Sequence, residues 1–138
     1  MTQHQETIGV QARRAGLSDI TREVARVVAA AGIDTGLCHL FLQHTSASLL
    51  IQENADPTAR HDLEHYFDRL APEDDPAYRH TSEGSDDMPA HLKTALTAVS
   101  LTIPITAGRL ALGTWQGIYL FEHRRDVPRR RLVVHCVG

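Results

Sequence analysis

Residues 100–137 read SLTIPITAGRLALGTWQGIYLFEHRRDVPRRRLVVHCV. Within them, residues 100–105, 109–113, 117–123 and 131–137 are runs of β-branched, aromatic and alternating apolar residues, and each reads as a strand. Short breaks carrying glycine, proline or arginine are all that separate them. Pro104 cannot donate to a sheet ladder, so it marks a strand end or an edge position. Gly113-Thr114-Trp115-Gln116-Gly117 reads as a turn. Strands and helices therefore do not alternate one for one, which favours an α+β fold over a parallel α/β one.

Working upstream, Met88, Leu92, Ala95, Leu96 and Val99 recur at helical spacing and predict a helix to about Ala98, entered through Pro89. Residues 71–77, with two prolines and three acids, read as a loop. Asp56-Pro57 opens another helix, Asp as cap and Pro at the first position, with Ala59, Leu63, Tyr66, Phe67 and Leu70 as its apolar stripe. Residues 37–43 and 47–52 read as strands broken by His44-Thr45-Ser46. A third helix covers 21–31, where Ile20, Val24, Val27, Val28 and Ala31 share one face, Thr21 caps the start and Gly32 ends it. Strands at 17–20 and 3–11 complete the pattern.

A chain of 138 residues suits one domain, 1–138, with a core of its own. Its net charge of -3 supplies no basic field to attract nucleic acid. No apolar run approaches a membrane span, and the N-terminus carries no apolar signal region, so a cytoplasmic protein off the membrane is expected. Cys38 and Cys136 are far apart without C-x-x-C companions and read as buried free thiols.

Nine histidines are many for this length and raise the prospect of metal or acid/base chemistry. Residues 78–91, YRHTSEGSDDMPAH, concentrate it: His80 and His91 bracket Glu83, Asp86 and Asp87. Two imidazoles with carboxylates suit a zinc-type site, the acids serving as ligands, imidazole orienters or a general base. Helix capping by Asp86 or Asp87 is the plainer reading of either acid alone, but leaves both histidines unexplained. His44-Thr45-Ser46 offers a ligand plus hydroxyls for a phosphate. His61 and His65 are spaced i, i+4 but lie opposite an apolar stripe and read as a solvated face. Trp115 is placed to stack on a heteroaromatic ring or to plug a core. Glu122 lies on an apolar strand, where a carboxylate either pairs with an arginine or faces a site. The arginines at 124, 125 and 129–131 read mostly as a solvated turn. Dinucleotide, P-loop and hydrolase-elbow motifs are missing.

Four motifs in series resemble the YjbQ family of secondary thiamine-phosphate synthases: HTSA at 44–47, ENADP at 53–57, H-x-x-E-G-x-D-D-M-x-x-H at 80–91, and LGTWQGIYLFE at 112–122. The resemblance implies an α+β fold whose β-sandwich, of mixed or antiparallel strands with about three helices, forms a homotrimer with clefts between subunits. It puts His44, His80 and His91 in the site, where their imidazoles are the expected metal ligands, with Glu83, Asp87, Arg109, Trp115, Gln116 and Glu122 as supporting groups. The implied activity is a weak one that joins a pyrimidine diphosphate to a thiazole phosphate and releases pyrophosphate. Combined with the residue chemistry, this makes Glu83, Asp87, Arg109 and Glu122 the catalytic candidates. Thr45, Ser46, Trp115 and Gln116 are the candidates for binding a small phosphorylated substrate. The expected cofactor is a divalent metal, zinc in preference to magnesium, because imidazoles dominate the ligand set. A metal-dependent hydrolase and a non-catalytic binding or assembly protein are the competing readings.

Overall fold

Period-two burial along the strands builds two facing sheets. The computed structural model describes residues 1–138. In chain order the elements are β1 (Gln3–Val10), β2 (Gly16–Asp19), α1 (Thr21–Ala31), β3 (Gly36–Leu42), β4 (Ala47–Glu53), α2 (Pro57–Leu70), α3 (Asp87–Leu96), β5 (Ser100–Thr106), β6 (Arg109–Leu110), β7 (Gln116–Glu122) and β8 (Arg130–Val137). One sheet runs β1-β8-β3-β5-β6 and the other β2-β7-β4. Every strand pair is antiparallel, so the α+β sandwich with three helices is present and contains no parallel pairs.

The main core lies between the sheets and under α1. Leu40, Leu42 and Cys38 on β3, Leu132, Val134 and Cys136 on β8, Ile118 and Leu120 on β7, and the expected α1 stripe all join it. Both cysteines are free and buried, as their apolar settings suggest. Although 98 residues separate them in sequence, they stand directly opposite each other across β3 and β8. Burial pushes the Cys38 thiol up to about 12, so it holds its proton.

Several boundaries and packing faces differ from expectation. The cap of α1 is Ile20. Asp19 accepts the Thr21 N–H at 2.8 Å, while the Thr21 hydroxyl receives the Ile118 N–H at 2.9 Å and ties the helix start to β7. On α2, the Asp56 cap and Pro57 start are as read. Its stripe is narrower: Leu63 and Phe67 pack on Leu17, Tyr119 and Phe121, whereas Tyr66 and Leu70 are half exposed. That helix lies on the small sheet with only one row of contacts. The third helix starts two residues before Pro89, which is tolerated because first-turn N–H groups have no helical acceptor. The strand read at 109–113 shrinks to two residues that pair with the tip of β5.

β7 positions the site. It is the middle strand of the small sheet, with Tyr119 and Phe121 facing α2 and Ile118 and Leu120 facing the large sheet. Beyond Glu122 the chain leaves that sheet and crosses to β8 in the other one. The arginine-rich segment therefore bridges two sheets rather than turning within one. No helix is long and apolar enough to cross a membrane.

Candidate functional site

The acidic loop folds back on the first turn of α3. Gly84, at φ 104, adopts a conformation that side chains oppose, and its carbonyl receives the Asp87 N–H at 3.3 Å. This turn carries His80 back over Asp87. His91 follows Asp87 by four residues on α3 and so overlies it on the same helix face. His80 Nε2 lies 2.7 Å, and His91 Nε2 3.2 Å, from the same Asp87 oxygen, Oδ2. The two rings meet edge to face with centroids 5.2 Å apart. Asp87 is buried, His80 exposed and His91 half-buried, so the carboxylate forms the floor and the imidazoles the rim.

The other Asp87 oxygen receives the Arg124 guanidinium, which also donates to the Glu83 carbonyl at 2.8 Å. Arg124 Nε stands 3.3 Å from the Asp86 carboxylate, whose Oδ2 accepts the Arg125 N–H at 2.9 Å. Arg125 in turn holds Glu73 in the preceding loop, through two contacts of 2.5 Å. Asp86 is the backbone cap of α3, yet its side chain makes no capping bond. Burial works to raise the Asp87 carboxyl. The His80 hydrogen bond and the nearby His91 and Arg124 charges outweigh it and hold the group below the usual carboxylate range.

A second cluster connects to the first through β7. Arg130 and Glu122, both almost fully buried, form a two-pronged pair at 2.8 and 2.5 Å. Glu122 also accepts the Arg124 N–H at 3.1 Å, and Arg130 donates to the Ser46 carbonyl at 3.0 Å. His44 stands beyond: its Nε2 accepts the Arg131 N–H at 2.8 Å, and Nδ1 is 3.4 Å from Arg130. Burial, then the Arg130 and Arg131 charges, lower its pKa and favour the neutral ring. Thus Asp87, Arg124, Glu122, Arg130 and His44 form one continuous polar chain.

Of the expected residues, His80, Asp87 and His91 come together, their ligand atoms within 4.8 Å of one another. His44 lies outside that group in the same chain. It shares a cavity of about 430 Å³ with Thr45 and Ser46, walled by Phe41 and Val99. The Glu83 side chain is exposed beside the first cluster, which uses its carbonyl. Glu122 takes the arginine-paired alternative. Trp115 is 64% exposed, and Gln116 accepts the Gly113 N–H at 2.8 Å in the turn before β7. That turn and Arg124 stand at opposite ends of β7, roughly 20 Å of strand apart. Arg109 lies in β6, in the other sheet.

Reading the sequence missed Arg124 and Arg130, which arginine-rich composition disguised as a solvated turn. An acid on an apolar strand calls for a cation, and that requirement was the available signal for Arg130. Also missed was His123, only 5% exposed, whose Nε2 meets Ser48 Oγ at 2.9 Å. Ser48 Oγ accepts from Thr97 at 2.6 Å. Nothing in the spacing links these three residues.

A sequence model of the family described as "UPF0047 protein YjbQ-like" matches residues 6–138. The chain is 50% identical over 136 residues to a UPF0047 protein of Synechocystis sp., covering 99% of this chain and 92% of that protein. It is 44% identical over 136 residues to the UPF0047 protein YjbQ of Escherichia coli O157:H7, covering 98% of each. Among solved structures, it is similar to a YbjQ-like protein of unknown function from Sulfolobus solfataricus (TM-score 0.88, 26% identity, 99% and 97% of the two chains). It is also similar to an uncharacterized yjbq/upf0047 protein from Clostridium acetobutylicum (TM-score 0.87, 32% identity, 96% and 99% of the two chains).

Proposed function

The chain belongs to the YjbQ-like UPF0047 family, and from that premise we propose a divalent-metal enzyme that acts on a small phosphorylated heteroaromatic substrate. One observation carries this reading: two imidazole nitrogens converge on one oxygen of a buried aspartate whose other oxygen is held by an arginine. The donor set fits the metal. Nitrogens and oxygens bound about 2.0–2.2 Å from a tetrahedral ion lie roughly 3.4 Å from one another. The His91–Asp87 spacing of 3.2 Å is near that, the His80–Asp87 spacing of 2.7 Å is shorter, and all three ligand atoms lie within 4.8 Å of one another. Two imidazoles favour zinc over magnesium, which prefers oxygen ligands. The ion would supply Lewis-acid stabilisation of charge developing on a phosphate oxygen.

The chain's own groups do the rest in this reading. Arg124 fixes the Asp87 carboxylate so that it presents one oxygen toward both histidines. The hydroxyls of Thr45 and Ser46 and the Arg109 guanidinium hold phosphate oxygens, Trp115 stacks on the heteroaromatic ring, and Gln116 orients it. Glu83 is the exposed carboxylate available for proton transfer. Thiamine-phosphate formation is a weak side activity in this reading. A C–N bond forms from the thiazole nitrogen to the pyrimidine's methylene carbon as the C–O bond to diphosphate breaks, and pyrophosphate leaves with the electron pair. Because His44, Arg109 and Trp115 stand away from His80 and His91 within one chain, the reading places the complete site between copies of a cytoplasmic homotrimer.

The test begins with metal content. Purified protein loaded with zinc and dialysed should retain about one ion per chain, and His80→Ala and His91→Ala should lose it while keeping the native circular-dichroism spectrum. Zinc-free wild type after loading, or full retention by both variants, rules the reading out. Coupling of the two phosphorylated substrates is then assayed on the loaded protein.

A further inference from the structure

On the α2 side of β7, away from the histidine pair, a cavity of about 430 Å³ opens between α2, the start of β2 and the end of β7. Its size falls within the range of small-molecule sites. The wall is polar and includes the cations Arg14, Arg60 and Lys93 together with His61, His65 and His123. Three carboxylates also line it, and each already has a cation. Glu64 holds Arg14 at 2.5 Å, Asp68 holds Lys93 at 2.7 Å, and Glu122 holds Arg130 at 2.5 Å. Arg60 is the cation left over. It makes no ion pair or hydrogen bond, and its guanidinium lies over the Tyr119 ring, 5.9 Å from the centroid.

Two further features of the wall point to a ligand. The His123 Nδ1 is buried without a hydrogen-bond partner, although its Nε2 is satisfied by Ser48. An unpaired polar atom in a buried ring costs free energy, so partnerless ones in a folded protein call for a reason. His61 and His65 stack at 4.0 Å on α2 and both line the cavity, with His61 Nδ1 3.1 Å from Asp62 Oδ1. A spare guanidinium and several N–H groups from separate elements match an acceptor with three oxygens and net negative charge. Ala15 and Phe121 give part of the wall an apolar surface.

We infer that this cavity binds the phosphate group of a small phosphate monoester, with Arg60 as the charge partner and His61, His65 and His123 around it. The inference does not depend on the metal reading, since none of the three residues of the histidine–aspartate cluster lines the cavity.

The probes are inorganic phosphate and phenyl phosphate, titrated by calorimetry into wild type, Arg60→Met and His91→Ala. Wild type and His91→Ala should bind phenyl phosphate equally, and Arg60→Met at least tenfold more weakly. In wild type, side-chain NMR signals of Arg60 and His123 should move along the same titration. That readout requires no variant to fold. Absence of binding by wild type up to millimolar ligand overturns the proposal. So does undiminished affinity in a folded Arg60→Met, or saturation without movement of the Arg60 and His123 signals. Loss of binding only in His91→Ala would assign the anion to the histidine pair and equally overturn it.

Discussion

At the scale of single residues, His123 is the clearest case of chemistry set by surroundings. Burial, then the positive charges of Lys93 and Arg130, lower its pKa from 6.5 to about 3. The folded chain therefore refuses a proton that the unfolded chain accepts. The stabilisation is complete above about pH 6.5 and is lost as pH falls from there toward 3, by about 1.4 kcal/mol per pH unit. Urea unfolding of wild type and His123→Gln at pH 7.5, 6.5 and 5.5 checks this. Between pH 7.5 and 6.5 the two should change nearly in parallel, and between 6.5 and 5.5 the wild type should lose up to about 1.4 kcal/mol more. Parallel behaviour across both intervals would refute it. Glu122 shows how far a residue pattern reaches. Its place on an apolar strand demanded a partner or a site, but which arginine answers was decided by the crossing of the chain from β7 to β8.

At the scale of elements, the loop entering α3 and the segment leaving β7 brace each other. Arg124 ties Asp87, Asp86 and the Glu83 carbonyl into one unit, and Arg125 extends it to Glu73. Groups that orient metal ligands typically contribute 10–100-fold to affinity. Arg124→Met should therefore weaken zinc binding by about that factor in competition with a chromophoric chelator, with one site per chain retained. Unchanged affinity would reduce Arg124 to a loop support. The helices also show which periodic signals can be trusted. The α1 stripe was legible because all its apolar residues meet the main core. The α2 stripe was too broad because the apolar contact of the helix with the small sheet runs through Leu63 and Phe67, leaving Tyr66 and Leu70 outside.

At the scale of the whole molecule, the two polar clusters and the aromatic turn are distributed over the sandwich. The homotrimer proposed above is the arrangement that would unite them. Its surface candidate is the outer face of β3, where Leu37 and Phe41 are each 46% exposed. Light scattering should then give a particle of about three times 15.3 kDa. Phe41→Glu should shift it toward monomer and lower activity without lowering zinc bound through His80 and His91. A monomeric wild type at micromolar concentration would remove the trimer and with it the shared site.

The amino-acid sequence by itself determined the elements and their class. Alternation, helical spacing and the Asp-Pro and glycine boundaries are local signals that nearby residues enforce. It also marked His80, Asp87 and His91, because a seven-residue loop and one helical turn are short enough to bring them together. Tertiary structure alone decided the pairings that span the chain: Cys38 opposite Cys136, Glu122 on Arg130, His123 on Ser48, and the Arg124 clamp on Asp87. Those contacts depend on which strands become neighbours and on where the backbone changes sheets. Both are set by the packing of all the apolar faces together, and no local pattern encodes them.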